Sequence, residues 1–479
     1  MKILYAASEA APFIKTGGLA DVAGSLPLAI KESGHDIRVV IPCYSKIKDI
    51  FKKEMKKELS FFVDLGWRKQ YAGILVYKSK GVTYYFIDNE FYFDRYNIYG
   101  EFDDGERFIF FSKAVAIMLK ELDFKPDIVH SNDWHTGLLP LYIKDFAKGD
   151  SFYSEIKTIH TIHNLKYQGV YPESILDIAG LSREYIIEDG LKFYDKINFM
   201  KAGIVYSDAI TTVSKTYSEE IKTNYFGENL DGIIRDKEYK LSGIVNGIDY
   251  NIFNPETDPN IDTNYTIENL HNKVQNKLAI QHLFELPENK DIPIIAMVSR
   301  LVKMKGLDLV RHIFDELLHE DIQFIILGTG DREYEDMFNY FQNKYPNKVA
   351  SRIYFNEKES HQIYSGADIF LMPSLAEPCG ISQLISLRYG TIPLVREVGG
   401  LKDTVTPYNE LNKEGNGFSF PNFNAHELLF TIKRALNLYK DNDLWKPLMI
   451  NAMESKNDWE KSSKEYLDLY KSLNLQSLD

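Results

Sequence analysis

Short apolar segments, rich in β-branched residues, alternate with amphipathic segments along most of the chain. Each apolar segment is followed by a turn and then by a helical pattern, which is typical of buried parallel strands joined by helices. In the first half of the chain this pattern predicts strands at 3–7, 37–41, 127–130, 158–163 and 209–213. These elements together predict a doubly wound α/β domain.

The same alternation begins again after residues 254–264, a segment rich in Asn, Asp, Pro and Thr that has turn chemistry instead of periodicity. A second series of strands is predicted at 292–299, 323–327, 352–355, 368–372 and 392–395. The predicted fold class is therefore α/β, with two Rossmann-like doubly wound domains. Their expected bounds are 1–242 and 243–456, with a C-terminal helix in 457–479 that packs back on the N-terminal domain.

Ligands of open α/β sheets bind beyond the carboxyl ends of the strands. Two such domains are expected to face each other across a deep cleft, which is a common place for a ligand site. Side chains that directly follow the predicted strands are therefore the first candidates for function.

Composition narrows the class of ligand. The chain has 479 residues, with 56 Lys and Arg against 69 Asp and Glu, so its net charge is −13. This balance argues against a general nucleic-acid binder. Cys43 and Cys379 are the only cysteines, too few for a disulfide framework. No apolar stretch approaches the ~20 residues of a membrane helix, so we expect a cytoplasmic protein that binds neither nucleic acid nor membrane.

A glycine pair follows the first predicted strand, in the run Lys15-Thr16-Gly17-Gly18, and a helix is expected to begin near Leu19. Amides at a helix start favour an anion, and Lys15 adds a full charge. The run matches neither the Walker A pattern nor G-x-G-x-x-G. It is either a diphosphate cradle, an acceptor-side loop, or a tight turn with a solvated lysine.

The segments 130–137 and 158–165 each place His together with Asn or Asp beyond a strand. Such groups can bind sugar hydroxyls, and a neutral His can stabilise a developing charge. The alternative is that these histidines are satisfied core residues. A zinc site is disfavoured because neither H-E-x-x-H nor paired thiolates accompany them.

In the second predicted domain, Arg300 and Lys305 lie in a turn between a strand and a helix, where two cations suggest a bound diphosphate. Lys303 of the same turn is expected to be solvated. After the strand at 368–372, Pro378 and Gly380 let the amides of Cys379, Gly380 and Ile381 approach a ligand. Glu377 would then bind a hydroxyl or balance an oxocarbenium-like sugar carbon, or serve only as a carboxylate at a helix start.

Taken together, these motifs resemble those of the bacterial glycogen synthases and plant starch synthases, a family of retaining glycosyltransferases with two Rossmann domains (GT-B). The resemblance covers nearly the whole chain. It is carried by the order and spacing of Lys15-Thr16-Gly17-Gly18-Leu19, His163-Asn164-Leu165, 196–203, Asn246-Gly247-Ile248-Asp249, 300–306, Glu377-Pro378-Cys379-Gly380 and Arg388-Tyr389-Gly390-Thr391.

The resemblance implies transfer of glucose from ADP-glucose to the non-reducing 4-hydroxyl of glycogen or another α-1,4-glucan, with retention. It implies catalytic roles for Glu377, His163, Arg300 and Lys305. The donor-binding residues that it implies are Lys15, Gly18, Asn246, Cys379, Gly380, Ile381 and Phe355, and the acceptor-side residues are Asp21, Asp133 and Asn164.

No metal or other cofactor is expected, because Arg300 and Lys305 can neutralise the diphosphate. The run Asp441-Asn442-Asp443, which has the D-x-D form of a metal ligand, is predicted to cap a late helix. Three alternatives stay open at this point: a UDP-sugar donor, a covalent double-displacement mechanism, and a glucan-binding protein with a decayed site.

Overall fold

The computed structural model describes residues 1–475, and the chain divides into two compact units. The first unit contains Met1–Asn246 and the chain from Trp459 onward, and the second contains Gly247–Asp458. The C-terminal segment 476–479 of the predicted terminal helix lies outside the described residues.

The first unit is built on one large, mostly parallel sheet with helices on its faces. Its strands are β1 Lys2–Ala6, β2 Asp36–Pro42, β3 Lys56–Leu65, β4 Arg68–Ser79, β5 Val82–Asp88, β6 Ile128–Asn132, β7 Lys157–Ile162, β8 Val170–Pro172, β9 Lys192–Phe193, β10 Lys196–Asn198, β11 Ala209–Thr212 and β12 Leu241–Gly243. Its helices are α1 Gly18–Glu32, α2 Asp49–Lys52, α3 Glu90–Phe93, α4 Asp104–Glu121, α5 Leu139–Ala147, α6 Ile175–Ala179, α7 Phe199–Tyr206, α8 Lys215–Glu220, α9 Asp231–Asp236 and, from the end of the chain, α18 Trp459–Leu475.

Over residues 1–475, the large sheet of this unit has the order β12-β11-β7-β6-β1-β2-β5-β4-β3, and β8, β10 and β9 form a small separate sheet. Seven neighbouring strands of the large sheet run parallel, namely β12, β11, β7, β6, β1, β2 and β5. Strand β4 is antiparallel to both β5 and β3. The chain changes direction across the sheet between β1 and β6. Ligands of doubly wound sheets bind at such a switch point, so the loops after β1 and β6 are in the favoured position.

The second unit is a smaller parallel sheet with helices between its strands. Its strands are β13 Ile294–Val298, β14 Gln323–Leu327, β15 Val349–Arg352, β16 Ile369–Met372, β17 Ile392–Arg396 and β18 Phe418–Phe420. Its helices are α10 Lys273–Leu283, α11 Leu307–Leu317, α12 Arg332–Lys344, α13 Glu357–Gly366, α14 Ser382–Arg388, α15 Gly399–Thr404, α16 Ala425–Tyr439 and α17 Asn442–Glu454.

In the described chain, the strands of the second unit follow the order β15-β14-β13-β16-β17-β18, and all of them are parallel. This is the order 3-2-1-4-5-6 of dinucleotide-binding folds, whose switch point lies between the first and fourth strands. The fold-class prediction of two doubly wound α/β domains is therefore confirmed. The switch point of this unit lies between β13 and β16, which precede Arg300 and Glu377 respectively.

Helix α18 returns to the first unit and is tied to its central sheet, as the sequence predicts. The hydroxyl of Tyr470 hydrogen-bonds Nδ1 of His130 at 2.7 Å, and Nε2 of His130 contacts Oγ1 of Thr161 at 2.5 Å. Burial lowers the pKa of His130 well below its ordinary value, so the ring is neutral. The C-terminal helix is therefore part of the core of the first unit.

Two local predictions have clear outcomes, and one pair of strands was not predicted. The strand predicted at 352–355 is wrong, because β15 ends at Arg352 and Phe355 is 63% exposed in the loop that follows. The antiparallel strands β3 and β4 were not predicted, since they carry charged and polar residues on exposed faces. The capping role of Asp441 is confirmed, because its side chain accepts a hydrogen bond from the amide of Asp443 at the start of α17.

No helix within residues 1–475 is both long enough and apolar enough to cross a membrane.

The bond between Tyr470 and His130 leads to a prediction about stability. Changing Tyr470 to Phe should lower the free energy of unfolding by about 1–3 kcal/mol, because Nδ1 of His130 would stay buried without a partner. Urea titration followed by tryptophan fluorescence measures the change. Tyr239→Phe, at an exposed position of the same unit, is the control and should have no effect; equal stabilities of the two variants would contradict the assignment.

Candidate active site

The loop after β1 presents Lys15, Gly18 and Asp21 at the start of α1. Gly17 occupies the N-cap position and offers no side chain to cap the helix, so the first-turn amides depend on other partners. Nζ of Lys15 donates to Oδ1 of Asp21 at 2.6 Å, and both side chains are partly exposed. The structure therefore places a cation, a carboxylate and a helix start at one point, and the binding of a polar ligand by this loop stays a prediction.

Glu9 was not among the residues predicted from the sequence. Its carboxylate hydrogen-bonds Thr16 of this loop. Its Oε2 accepts hydrogen bonds from the amide of Thr16 at 2.6 Å and from the Thr16 hydroxyl at 2.8 Å. The side chain is almost fully buried, and this desolvation raises its pKa from 4.5 to about 7 despite both bonds. A charge inside the apolar run Ala6-Ala7-Ser8-Glu9-Ala10 is the signal that could have identified it.

The loops after β6 and β7 meet at Asp133. Oδ1 of Asp133 accepts from the amide of His163 at 2.7 Å and from the amide of Asn164 at 3.4 Å. Asp133 has φ +53°, a conformation that residues other than glycine rarely adopt. Burial raises the pKa of its carboxyl to about 7, against the opposing effect of the two amides. The predicted residues Asp133, His163 and Asn164 are thus brought together in one group.

The ring of His163 is neutral and has a fixed tautomer. Desolvation lowers its pKa to about 3. Nε2 lies 2.8 Å from Oδ1 of Asn132, whose orientation is set because it also accepts from the Tyr5 hydroxyl while its amide group donates to the carbonyl of Ala6. Nε2 of His163 therefore carries the hydrogen, and Nδ1 is left as an acceptor for a ligand hydroxyl. Asn132 belongs to the segment 130–137 that the sequence indicated, but it was not among the predicted site residues.

The other histidines of these two segments belong to the core. His130 bonds Tyr470 and Thr161, as described above, and His160 contacts the hydroxyl of Ser131 and the sulfur of Met200. His135 is packed between the rings of Tyr99 and Trp134. Of the histidines that the sequence offered as a cluster, His163 alone follows the end of its strand and keeps an exposed edge.

Asn246 is the last residue of the first continuous segment of the first unit, and the oxygen of its side-chain amide has no hydrogen-bond partner in the described chain. Its side chain is 5% exposed, and its Oδ1 accepts no hydrogen bond from any group in residues 1–475. A buried amide oxygen without a partner is costly. The position fits a residue whose partner is a ligand.

In the second unit, Lys305 and Glu377 form an ion pair between the loops after β13 and β16. Nζ of Lys305 donates to Oε2 of Glu377 at 2.6 Å, and the hydroxyl of Ser374 donates to the same oxygen at 3.0 Å. The other carboxylate oxygen of Glu377 accepts no hydrogen bond from the described chain. Glu377 is therefore a held carboxylate with one oxygen left for a ligand.

Gly306 makes this pairing possible. It has φ +74°, and a Cβ atom at this position would lie 1.8 Å from the carbonyl oxygen of Pro373. The amide of Leu375 also donates to the carbonyl of Met304 at 2.8 Å. Because only glycine allows this close approach, the turn that carries Lys305 can lie directly against the segment that carries Glu377.

Arg300 lies at the start of the same turn, with its guanidinium exposed. Within residues 1–475 this group makes no hydrogen bond, ion pair or ring contact. Lys303 is exposed as well, as predicted. A cation beside a switch point that no protein group neutralises is free to bind an anion.

The segment Cys379-Gly380-Ile381 precedes α14, which begins at Ser382. Gly380 has φ +76°. In the described chain, the amides of Gly380 and Ile381 donate to no protein group, and both residues are partly exposed. Two amides without a protein partner therefore follow Glu377 closely in sequence, and their role as donors to a ligand stays a prediction.

The predicted residues thus fall into two groups, one in each unit. The first contains Lys15, Gly18, Asp21, Asp133, His163, Asn164 and Asn246, and the second contains Arg300, Lys305, Phe355, Glu377, Cys379, Gly380 and Ile381. Phe355 stands apart in the exposed loop after β15. Among residues 1–475 no group of three or more His, Cys, Asp or Glu side chains could hold a metal ion.

The pKa of Glu9 leads to a prediction about pH. The unfolded chain releases this proton near pH 4.5 and the folded chain near pH 7, so the contribution of Glu9 to stability is complete below pH 4.5 and is lost as the pH rises through 7. Glu9→Gln keeps an acceptor for Thr16 but cannot ionise. Between pH 4.5 and pH 8 the free energy of unfolding of this variant should therefore fall by about 3 kcal/mol less than that of the unchanged protein.

Urea titrations at a series of pH values measure this difference. Asp133, which titrates in the same range, should leave a residual slope in the variant. Glu58→Gln, on the exposed strand β3, serves as control, and parallel profiles for Glu9→Gln and the unchanged protein would contradict the prediction.

Comparison with known proteins assigns a family to this arrangement. Residues 2–236 match the family described as starch synthase catalytic domain, and residues 280–447 match the glycosyl transferases group 1. The chain is 58% identical to a glycogen synthase of Finegoldia magna over 99% of its length and 100% of the relative. It is 53% identical to a glycogen synthase of Bacillus cereus, over 99% of this chain and 100% of that one.

Solved structures agree with these relatives. The catalytic domain of starch synthase IV from Arabidopsis thaliana, bound to ADP and acarbose, matches with a TM-score of 0.92 at 30% identity, over 99% of both chains. A sucrose-phosphate synthase from Thermosynechococcus elongatus shares the fold, with a TM-score of 0.64 at 16% identity over 98% of both chains. With its two Rossmann-like units and its full-length identity to these relatives, the chain belongs to the glycogen and starch synthase family of GT-B hexosyltransferases.

Proposed function

We propose that the chain is a glycogen synthase that transfers glucose from ADP-glucose to the non-reducing 4-hydroxyl of an α-1,4-glucan, with retention of configuration. The observation that carries the proposal is the switch point of the second unit, where the free cation Arg300 and the ion pair of Lys305 with Glu377 follow β13 and β16. The names of the relatives and the ADP in the Arabidopsis structure support it.

The cations act on the leaving group. When the bond between the anomeric carbon and the diphosphate oxygen breaks, both electrons go to ADP, whose oxygens gain negative charge. The guanidinium of Arg300 and the ammonium of Lys305 stabilise that charge. We assign Lys15 and the amide of Gly18 to the phosphates and the acceptor entrance, and the exposed ring of Phe355 to the adenine. On this proposal the reaction needs no metal ion, because the two cations supply the positive charge.

The glucosyl unit is held by groups that can bind hydroxyls and balance positive charge. We assign the free oxygen of Glu377 and the amides of Cys379, Gly380 and Ile381 to its hydroxyls. The negative charge of Glu377 stabilises the oxocarbenium-like carbon in the transition state. The neutral His163 and the unused oxygen of Asn246 are assigned to the same sugar.

The acceptor chain is assigned to Asp21, Asp133 and Asn164 of the first unit. In the front-face mechanism the acceptor oxygen bonds to the anomeric carbon on the side that ADP leaves, and a departing phosphate oxygen takes the acceptor proton. The alternative is double displacement, in which the oxygen of Glu377 that Lys305 and Ser374 do not hold would form a covalent glucosyl intermediate. The predicted cytoplasmic location stays a prediction that rests on Cys43 and Cys379, which form no disulfide in the described chain.

A donor assay tests the function. With glycogen as acceptor, ADP-glucose should be used at least tenfold more efficiently than UDP-glucose, measured as kcat/KM from release of the nucleoside diphosphate. NMR of the new linkage should show the α configuration. Preference for UDP-glucose would overturn the donor assignment, and diphosphate release without growth of the glucan would overturn the reaction.

Arg300 provides a test of the diphosphate site. Each charge-assisted hydrogen bond is worth ~1.5–3 kcal/mol, so Arg300→Ala should weaken ADP binding roughly 10- to 100-fold and lower turnover as well. Calorimetric titration with ADP measures the affinity. Lys303→Ala, an exposed cation of the same turn, is the matched control and should bind ADP normally; equal losses in both variants would point to general electrostatics only.

A further inference from the structure

Four consecutive carbonyl groups of the segment 377–380 point into the second unit. The amide of Gly400 donates to the carbonyl of Glu377 at 3.2 Å and to that of Pro378 at 3.0 Å. Nε2 of Gln383 donates to the carbonyl of Cys379 at 3.1 Å and to that of Gly380 at 3.0 Å. The amide of Gly400 and the side chain of Gln383 therefore fix the orientation of the whole segment.

These bonds also decide where the amides point. In a planar trans peptide, the carbonyl of one residue and the N–H of the next lie on opposite sides. Since Gln383 holds the carbonyls of Cys379 and Gly380, the N–H groups of Gly380 and Ile381 must point away from it. They are the two amides that donate to no protein group in residues 1–475, so one side chain accounts for the direction of both.

Gln383 is well placed for this task. It is completely buried in α14, and its Nε2 also lies 3.2 Å from the hydroxyl oxygen of Thr404. A flipped amide would bring Oε1 against two carbonyl oxygens, so the orientation is determined by the network. Thr404 in turn donates to the carbonyl of Gly400 at 2.6 Å, which links the two donors that hold the segment.

The backbone at Gly380 packs directly against the side-chain amide of Gln383. A Cβ atom at Gly380 would be 2.3 Å from Oε1 of Gln383, and one at Gly399 would be 1.9 Å from the carbonyl oxygen of Glu377. Any side chain at either position would lift the segment from its support. The loop therefore has little freedom to turn its amides elsewhere while Gln383 is present.

We propose that Gln383 is a positioning residue of the glucosyl site, which aims the amides of Gly380 and Ile381 at the donor sugar without touching it. This inference rests on the proposed function and deepens it, because it names the residue that sets the geometry of that site. Preset donors of this kind act without reorganisation during the reaction.

The experiment replaces Gln383 by Met, which fills the same space and donates no hydrogen bond. We expect KM for ADP-glucose to rise at least tenfold and kcat to fall at least tenfold, while KM for glycogen stays within twofold because the acceptor groups lie in the first unit.

Gln281→Met is the matched control. Gln281 is also buried in the second unit, and its Nε2 likewise donates to a backbone carbonyl, that of Asn289 at 2.9 Å. It should lower the thermal midpoint about as much as Gln383→Met and leave both KM values unchanged. If Gln383→Met changes only the thermal midpoint or the active fraction, as this control does, its role is structural and the proposal is overturned.

A crystal structure of Gln383→Met gives a readout that does not depend on the reaction. We expect the peptides that join Cys379 to Gly380 and Gly380 to Ile381 to rotate; unchanged peptides would overturn the proposal. If the unchanged protein fails to transfer glucose from ADP-glucose, the proposed function fails instead, and the crystal structure still decides whether Gln383 orients the loop.

Discussion

The contact between Gly306 and the carbonyl of Pro373 is the constraint on which the second unit depends. It requires a backbone without a side chain at 306, and it presses the turn after β13 against the segment after β16. Lys305 and Glu377, which are 72 positions apart in sequence, become partners for this reason. The free amides of the following segment and the free guanidinium of Arg300 are then presented at the same switch point of the sheet.

Desolvation has a comparable role in the first unit. It raises the pKa values of Glu9 and Asp133 to about 7 and lowers that of His163 to about 3. Charged forms are thus disfavoured at the very residues that face the loops after β1, β6 and β7. A group of residues with a neutral imidazole and carboxyls that titrate near neutrality suits the binding of uncharged hydroxyl groups, whereas the cations of the second unit suit an anion.

Sequence predicted the architecture well where packing decides it. The segment 323–327 coincides with β14, because its four consecutive apolar residues 324–327 suit a strand that is buried on both faces. The strand predicted at 352–355 was wrong because the prediction rested on residue type alone. Tyr354 and Phe355 are residues that favour strands, but they lie beyond the end of β15. Exposed strands such as β3 leave too weak a pattern to predict.

The candidate residues were also found from sequence, since special residues after strand ends are visible in the chain and their order matches the family. Their supports were not. Glu9, Asn132 and Gln383 act through hydrogen bonds to backbone or to another side chain, and nothing in a linear pattern shows where those partners lie. The pairing of Lys305 with Glu377 likewise depends on β13 and β16 being neighbours, which sequence order does not reveal.

The position of α18 affects how the protein is made. Tyr466 and Tyr470 complete the core of the first unit, yet they follow the whole second unit in sequence and are synthesised after it. The second unit is a single continuous stretch of chain, and so it can finish folding during synthesis, in the manner usual for domains. The core of the first unit is thus completed only after the second unit has been synthesised, and its early strands wait for α18 until then.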